Sequence, residues 1–125
     1  MKMKFFSKNK YLFLTIIYAI IIFIVSAIPG HSLSRYKILS FDKFLHFSVY
    51  FGFGILLFKA NIEQLNVSER NILILTIIIG LFYGISDEVH QLFVINRTAS
   101  VYDVIADFLG IVFGTVFIFK LSKKK

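Results

Sequence analysis

Residues 71–85, "NILILTIIIGLFYGI", decide how the chain folds, because they form a long apolar run without a charged side chain. The next residues, 86–97, are "SDEVHQLFVINR" and place two acids, a histidine and an amide within five positions. A segment that favours lipid therefore ends in side chains that favour water. The position of the apolar run therefore also determines where these polar side chains lie.

The composition indicates that lipid surrounds much of the protein. The chain has 125 residues, of which 58% are hydrophobic, and its mean hydropathy is +0.80. A soluble domain of this size cannot bury so much apolar surface. The length predicts a single domain over residues 1–125. The absence of cysteine excludes disulfides and thiolate metal sites.

Four apolar runs are long enough to cross a bilayer as helices, which need about 20 residues each. A helix satisfies its own backbone hydrogen bonds, which lipid requires. We therefore predict an all-α integral membrane bundle of four transmembrane helices, at about 11–29, 41–60, 71–94 and 101–120. The first run has an alternative as a signal peptide, with Val25-Ser26-Ala27 as the cleavage site. Its apolar stretch exceeds the roughly 7–15 residues typical of such peptides, which favours a retained helix.

The basic residues predict the orientation in the cell membrane. Ten of the fourteen Lys and Arg residues would lie on one side of the bilayer, in both tails and in the link between the second and third helices. By the positive-inside rule, both termini are cytoplasmic. The net charge of +7 would also suit nucleic acid. The basic residues, however, flank apolar runs and line no groove of aromatic side chains. We therefore predict membrane lipids as partners and no binding of nucleic acid.

Five acids lie at or just below the predicted outer face, where they would meet in one pocket. Asp87 and Asp107 would lie about 8 Å and 10 Å inside the hydrocarbon boundary, where exposure to lipid is costly. Asp42 and His46 share one side of their helix. We expect these groups to face the bundle interior, with Arg97 as the counter-ion of one or two acids.

Glycine pairs predict close helix contacts. "GLFYG" places Gly80 and Gly84 four residues apart, and "GIVFG" does the same for Gly110 and Gly114. This spacing is typical of helices that pack closely in membranes.

Two motifs resemble the VanZ-like family of bacterial membrane proteins. "DKFLHFSVYFGFGILL" is similar to the start of that family's second helix, with its Asp-Lys-x-x-His pattern. "SDEVHQLFVINRTASVYDVIADFLGIVFG" resembles its other signature, a Ser-Asp-Glu-x-x-Gln helix end followed by an Arg-x-x-Ser-x-x-Asp turn. Asp107 stands where many relatives have Asn.

The resemblance implies a role at the bacterial cell envelope, because the family is named for low-level resistance to the glycopeptide teicoplanin. The residues that match the two motifs form the candidate polar site: Asp42, Lys43, His46, Asp87, Glu88, Gln91, Arg97, Ser100, Asp103 and Asp107. The hypothesis that follows is an outward-facing polar cluster that gives tolerance to such an antibiotic. Its partner would be a lipid-linked envelope precursor or a lipoglycopeptide.

The same residues also fit two further hypotheses. The cluster can be purely structural, fixing the register of the helices, with Ser100 as a helix N-cap. It can also belong to a membrane-embedded enzyme, a metal or acid/base hydrolase acting on a lipid-linked substrate. No HExxH or comparable metal signature occurs, so we predict neither metal nor cofactor and favour a protein that is not an enzyme. Proton-coupled transport is disfavoured, because the carboxylates lie at one face only.

Overall fold

The computed structural model describes residues 7–28, 39–97 and 99–124, and these residues form four long α-helices and no strand. The helices are α1 (Lys10–Ser26), α2 (Leu39–Gln64), α3 (Glu69–Gln91) and α4 (Val101–Lys123). The predicted all-α architecture is confirmed. Lys2, Lys4, Arg35, Lys37 and Lys125, which contribute to the predicted orientation, lie outside the described residues.

Three of the described helices are long and apolar enough to cross a membrane, judged by length and composition: Asp42–Gln64 of α2, α3 and α4. The apolar helix α1 is shorter, with 17 residues. The chain is thus a multi-pass membrane protein. Exposed aliphatic side chains along α1 support this conclusion, since Ile17 and Ile24 are 54% and 59% exposed. Lipid is the solvent that such a surface needs.

The closest helix packing joins α2 to α4, and glycine makes it possible. A Cβ atom on Gly110 or Gly114 would collide with the backbone carbonyl of Phe47 or Phe51 on α2. A Cβ atom on Gly80 of α3 would come within 2.6 Å of the Ile111 side chain, which is fully buried. The glycines therefore lie where helices touch, as small residues do in membrane bundles.

Helix ends are fixed by serine caps and one turn. Ser68 and Ser100 accept hydrogen bonds at the first turns of α3 and α4, from the backbone N–H groups of Asn71 (3.3 Å) and Tyr102 (3.2 Å). The chain turns between α3 and α4 at Asn96, whose φ is 59°. Asn tolerates this left-handed conformation better than most residues. Helix α3 ends at Gln91, three residues before the predicted end of its run.

Helix α1 lies against α2 and α3. The Tyr18 hydroxyl of α1 donates to the Val49 carbonyl of α2 at 2.6 Å, and the Tyr83 hydroxyl of α3 donates to the Ala19 carbonyl at 2.5 Å. Each bond satisfies a phenol that has no water available within the bilayer. These contacts fix α1 beside the polar residues of the other helices.

Candidate functional site

Five of the seven acids gather at one end of the bundle, here named the acidic end. It is the end at which α1 and α3 finish and α2 and α4 begin. The opposite end, with Lys59 and Lys120–Lys124, is named the basic end. The acidic end lies within the candidate membrane spans. Its polar groups are therefore held in place by helix packing rather than by a loop.

His46 of α2 lies at the centre of the acidic end. Its Nδ1 atom is 2.8 Å from Oδ1 of Asp107 on α4 and 4.0 Å from Oε1 of Glu88 on α3. The Glu88 and Asp107 residues are only 4% and 1% exposed. One imidazole thus joins carboxylates from two other helices in a buried site.

Lys43 provides the strong positive charge of this cluster. Its Nζ atom forms an ion pair with Asp103 at the start of α4 and lies 3.3 Å from Oδ2 of Asp42. The prediction that Arg97 is the counter-ion of one or two acids is wrong. No carboxylate in the described residues lies within 4.0 Å of its guanidinium, which donates instead to the Ile28 carbonyl at 3.1 Å. Lys43 holds the pairing role because α2 and α4 pack closely and bring it to Asp103.

Asp87 belongs to a second, separate network. Its Oδ1 atom accepts from the Ser26 hydroxyl at 2.5 Å and its Oδ2 atom from the Tyr50 hydroxyl at 3.1 Å. Gln91 donates to the same Ser26 hydroxyl at 3.1 Å. This network of buried side chains ties α1, α2 and α3 together.

Ser26 is a member of the site that the sequence did not reveal. It is 3% exposed and is the contribution of α1 to the acidic end. The available signal was a single hydroxyl at the end of an apolar run. A lone serine there can equally face water or bond to its own helix, so it does not mark a site.

Ser100 is the remaining predicted residue, and His90 is a nearby histidine that was not among the predicted site residues. Ser100 caps α4, and its backbone N–H lies 3.4 Å from Oε2 of Glu88, so it closes the edge of the cluster. His90 lies apart, because its ring stacks on Phe23 of α1 with centroids 4.2 Å apart. The structure thus brings six of the predicted residues around His46, places Asp87 and Gln91 beside them, and leaves Arg97 on the Ile28 carbonyl.

A cavity of about 450 Å³ adjoins both networks. Apolar side chains of α1 and α2, including Ile21, Val25 and Leu45, line one part of it. Its polar lining consists of Ser26, Asp42, His46, Asp87, Gln91 and Arg97, with two tyrosine residues. Such a volume is within the range of small-molecule sites, which combine apolar walls with a few fixed polar groups.

Two groups of three side chains among the described residues have ligand atoms close enough to hold a metal ion. They are Asp42, His46 and Asp103, and His46, Glu88 and Asp107, with all ligand atoms in a group within 4.8 Å of one another. The two carboxylates of the first group already pair with the Lys43 ammonium. The arrangement can therefore bind a cation, exchange a proton between imidazole and carboxylate, or donate hydrogen bonds into the cavity.

Comparison with known families adds one finding. The family model described as VanZ/LLP1 matches residues 3–122, which is nearly the whole chain. No curated protein and no solved structure gives a significant match.

Proposed function

The chain belongs to the VanZ/LLP1 family, and from that premise we propose that its acidic end binds an acyl-bearing amphiphile at the outer surface of a bacterial cell membrane. The bound molecule is an acylated glycopeptide such as teicoplanin, or the lipid-linked envelope precursor that glycopeptides target. Both have an apolar chain joined to a polar head. The outcome of binding is tolerance to the antibiotic.

The observation that supports the proposal is a cavity lined by apolar side chains on one part and by polar side chains on another. Ile21 and Val25 line it, and they are also 53% and 51% exposed on the surface that would face lipid. Within the described residues, the cavity therefore reaches the lipid-facing side of the bundle. An acyl chain can enter along α1 while its polar head stays at the acidic end.

The polar lining suits a head group rich in amides, hydroxyls and charge. Arg97 and Gln91 supply N–H donors, while Asp42 and Asp87 supply acceptors. Arg97 forms no ion pair with any of the seven acids, all of which the structure describes, so its guanidinium charge is available to a carboxylate or phosphate of the ligand. Asp42, Asp87 and Gln91 lie on helices, and such fixed polar groups favour one orientation of a bound molecule.

The proposal requires that the acidic end faces outward. Because the chain has no cysteine, single cysteines can be introduced at Tyr102 of the acidic end and at Asn66 between α2 and α3. A membrane-impermeant maleimide added to intact cells should label the Tyr102→Cys protein and spare the Asn66→Cys protein. The reverse pattern would exclude binding from the outer surface.

Cavity filling tests the proposal directly. In a glycopeptide-sensitive host that expresses the chain, Val25→Trp should abolish tolerance because the indole occupies the cavity. Ile24→Trp is the matched control, since Ile24 is the neighbouring exposed residue of α1 and does not line the cavity. Tolerance is measured against an acylated glycopeptide and against one without the acyl chain.

Binding measurements on the purified chain in detergent micelles then separate the two sources of ligand. Saturable binding of the acylated glycopeptide alone identifies the antibiotic, and binding of a lipid-linked precursor alone identifies the cell's own molecule. Equal tolerance in cells with the native chain, Val25→Trp and Ile24→Trp, together with no binding of either molecule, would refute the proposal.

One contact favours a second candidate, a membrane-embedded hydrolase. The 2.8 Å approach of His46 Nδ1 to Asp107 Oδ1 is the arrangement in which a carboxylate orients a general base. Such an enzyme would release product from a lipid-linked substrate over time. In that case His46→Gln would stop product release without lowering substrate binding, whereas a binding protein would show no turnover with either form.

A further inference from the structure

Within the part of the chain that the structure describes, the charges around His46 are not balanced by side chains. Glu88 and Asp107 are both more than nine-tenths buried. No Lys or Arg in the described ranges lies within 4.0 Å of either carboxylate, and His46 is their one basic neighbour at that distance. Even a protonated imidazole supplies one positive charge for two carboxylates. A buried charge without a partner is costly, and more so within a bilayer.

Two oxygen atoms of this cluster also have no hydrogen-bond partner among the described residues. They are Oε1 of Glu88 and Oδ2 of Asp107, both fully buried. Buried carboxylate oxygens normally have a donor or a cation beside them. Both residues lie beside the same imidazole, so a positive partner among the three side chains would offset the charge of both carboxylates.

The distances allow that partner to be a metal ion. His46 Nδ1, a Glu88 oxygen and an Asp107 oxygen lie within 4.8 Å of one another, with Nδ1 4.0 Å from Oε1 of Glu88. Zinc forms bonds of about 2.0–2.2 Å to imidazole nitrogen and carboxylate oxygen, so the ligand atoms of a tetrahedral ion lie about 3.3–3.6 Å from one another. Shifts of less than about 1 Å would place one ion in contact with all three residues.

From this geometry we propose that His46, Glu88 and Asp107 bind one divalent transition-metal ion. One imidazole and two carboxylates suit Zn²⁺ or Mn²⁺, whereas Ca²⁺ and Mg²⁺ prefer oxygen ligands alone. With three protein ligands, a fourth position remains for water or for a group of a bound molecule. The inference goes beyond the proposed function, because the ion can stabilise the bundle whether or not an amphiphile binds.

The other ring nitrogen of His46 supports the assignment. Its Nε2 atom faces Asp42 Oδ1 and Asp103 Oδ1, each at 3.9 Å. A metal-bound histidine usually directs its second nitrogen to a carboxylate, which fixes the ring and increases its basicity. Asp42, His46 and Asp103 do not form the better site, because the Lys43 ammonium already lies at their carboxylates.

The test uses the full chain in detergent micelles, with any affinity tag removed and bound metal stripped by EDTA. Titration with Zn²⁺ should show one ion per chain, and Co²⁺ should give the visible absorption of a nitrogen- and oxygen-bound ion. Glu88→Gln keeps the shape of the side chain and removes its charge, and it should weaken Zn²⁺ binding at least tenfold. Asp107→Asn should have the same effect, and it replaces Glu88→Gln if that variant does not fold.

His90→Ala is the matched control, because His90 is at the same end of the bundle but stacks on Phe23, away from the cluster. Its affinity for Zn²⁺ should stay within about twofold of the native value, and this match would support the assignment. Native protein without stoichiometric Zn²⁺ or Mn²⁺ binding would overturn the proposal. So would binding that persists in both carboxylate variants or disappears in His90→Ala.

Discussion

The two ends of the bundle both carry ionisable side chains but place them in opposite surroundings. At the basic end, the ammonium of Lys59 lies 4.6 Å from the centre of the Tyr11 ring, and that of Lys123 lies 4.7 Å from the Phe119 ring. Long side chains there can reach the membrane surface along aromatic groups. At the acidic end, Glu88, Asp103 and Asp107 turn inward and are at most 5% exposed.

This difference distinguishes charged side chains that anchor helices at the membrane surface from charged side chains that form a buried cluster. Charges at the basic end stay near water, so each of their contacts contributes little and can be lost at little cost. Charges at the acidic end are removed from water and depend on one another. A bundle that needed only anchors would place both sets at the surface. The inward set is what distinguishes the acidic end as the candidate site.

The largest expected contrast comes from removing one lysine at each end. Lys43→Met leaves the buried Asp103 without its ion pair and should lower the free energy of unfolding by about 3–5 kcal/mol. Lys59→Met loses a hydrogen bond of 3.3 Å to the Tyr11 hydroxyl and should cost less than about 1 kcal/mol. Reversible denaturation in mixed micelles, followed by loss of helical circular dichroism, measures both. Equal losses would remove the contrast between the two ends.

The spans and the polar end were predictable because lipid imposes both. A run of about 20 apolar residues has few alternatives to a membrane helix, and a four-residue spacing places Asp42 and His46 on one side. Which cation pairs with which acid was not predictable, because that pairing depends on how the helices cross. The sequence favoured Arg97 as the counter-ion, and only the close packing of α2 on α4 brings Lys43 to Asp103 instead.

Histidine placement shows the same limit. His90 is three residues after Asp87, so spacing alone places it near the side of α3 that carries the acids. In the structure its ring stacks on Phe23 of α1. Nothing in the sequence near His90 indicates that a phenyl ring from a distant helix lies beside it. Ser26 of α1 was missed for the same reason.

A smaller contrast comes from tyrosine hydroxyls. Tyr50→Phe removes a donor from the buried Asp87 and should cost about 1–3 kcal/mol, because the carboxylate oxygen is left without that partner. Tyr11→Phe at the basic end removes the acceptor of a Lys59 hydrogen bond, and it should cost less than about 0.5 kcal/mol. The same denaturation measurement applies. A larger loss of stability in Tyr11→Phe than in Tyr50→Phe would show that burial of the hydrogen bond does not determine the cost of removing it.

The smallest expected contrast concerns the two serine caps, one at each end. Ser68→Ala removes the acceptor for the Asn71 N–H at the start of α3 and should cost about 0.5–1 kcal/mol. Ser100→Ala removes the acceptor for the Tyr102 N–H and should cost about as much, since the contact of its backbone N–H with Glu88 survives the change. If the loss at Ser100 greatly exceeds that at Ser68, its hydroxyl does more than cap α4. In that case the Ser100 hydroxyl makes a further stabilising contact at the acidic end. Matched losses assign it to helix capping, and the candidate site then consists of side chains that face His46, Asp87 and the cavity.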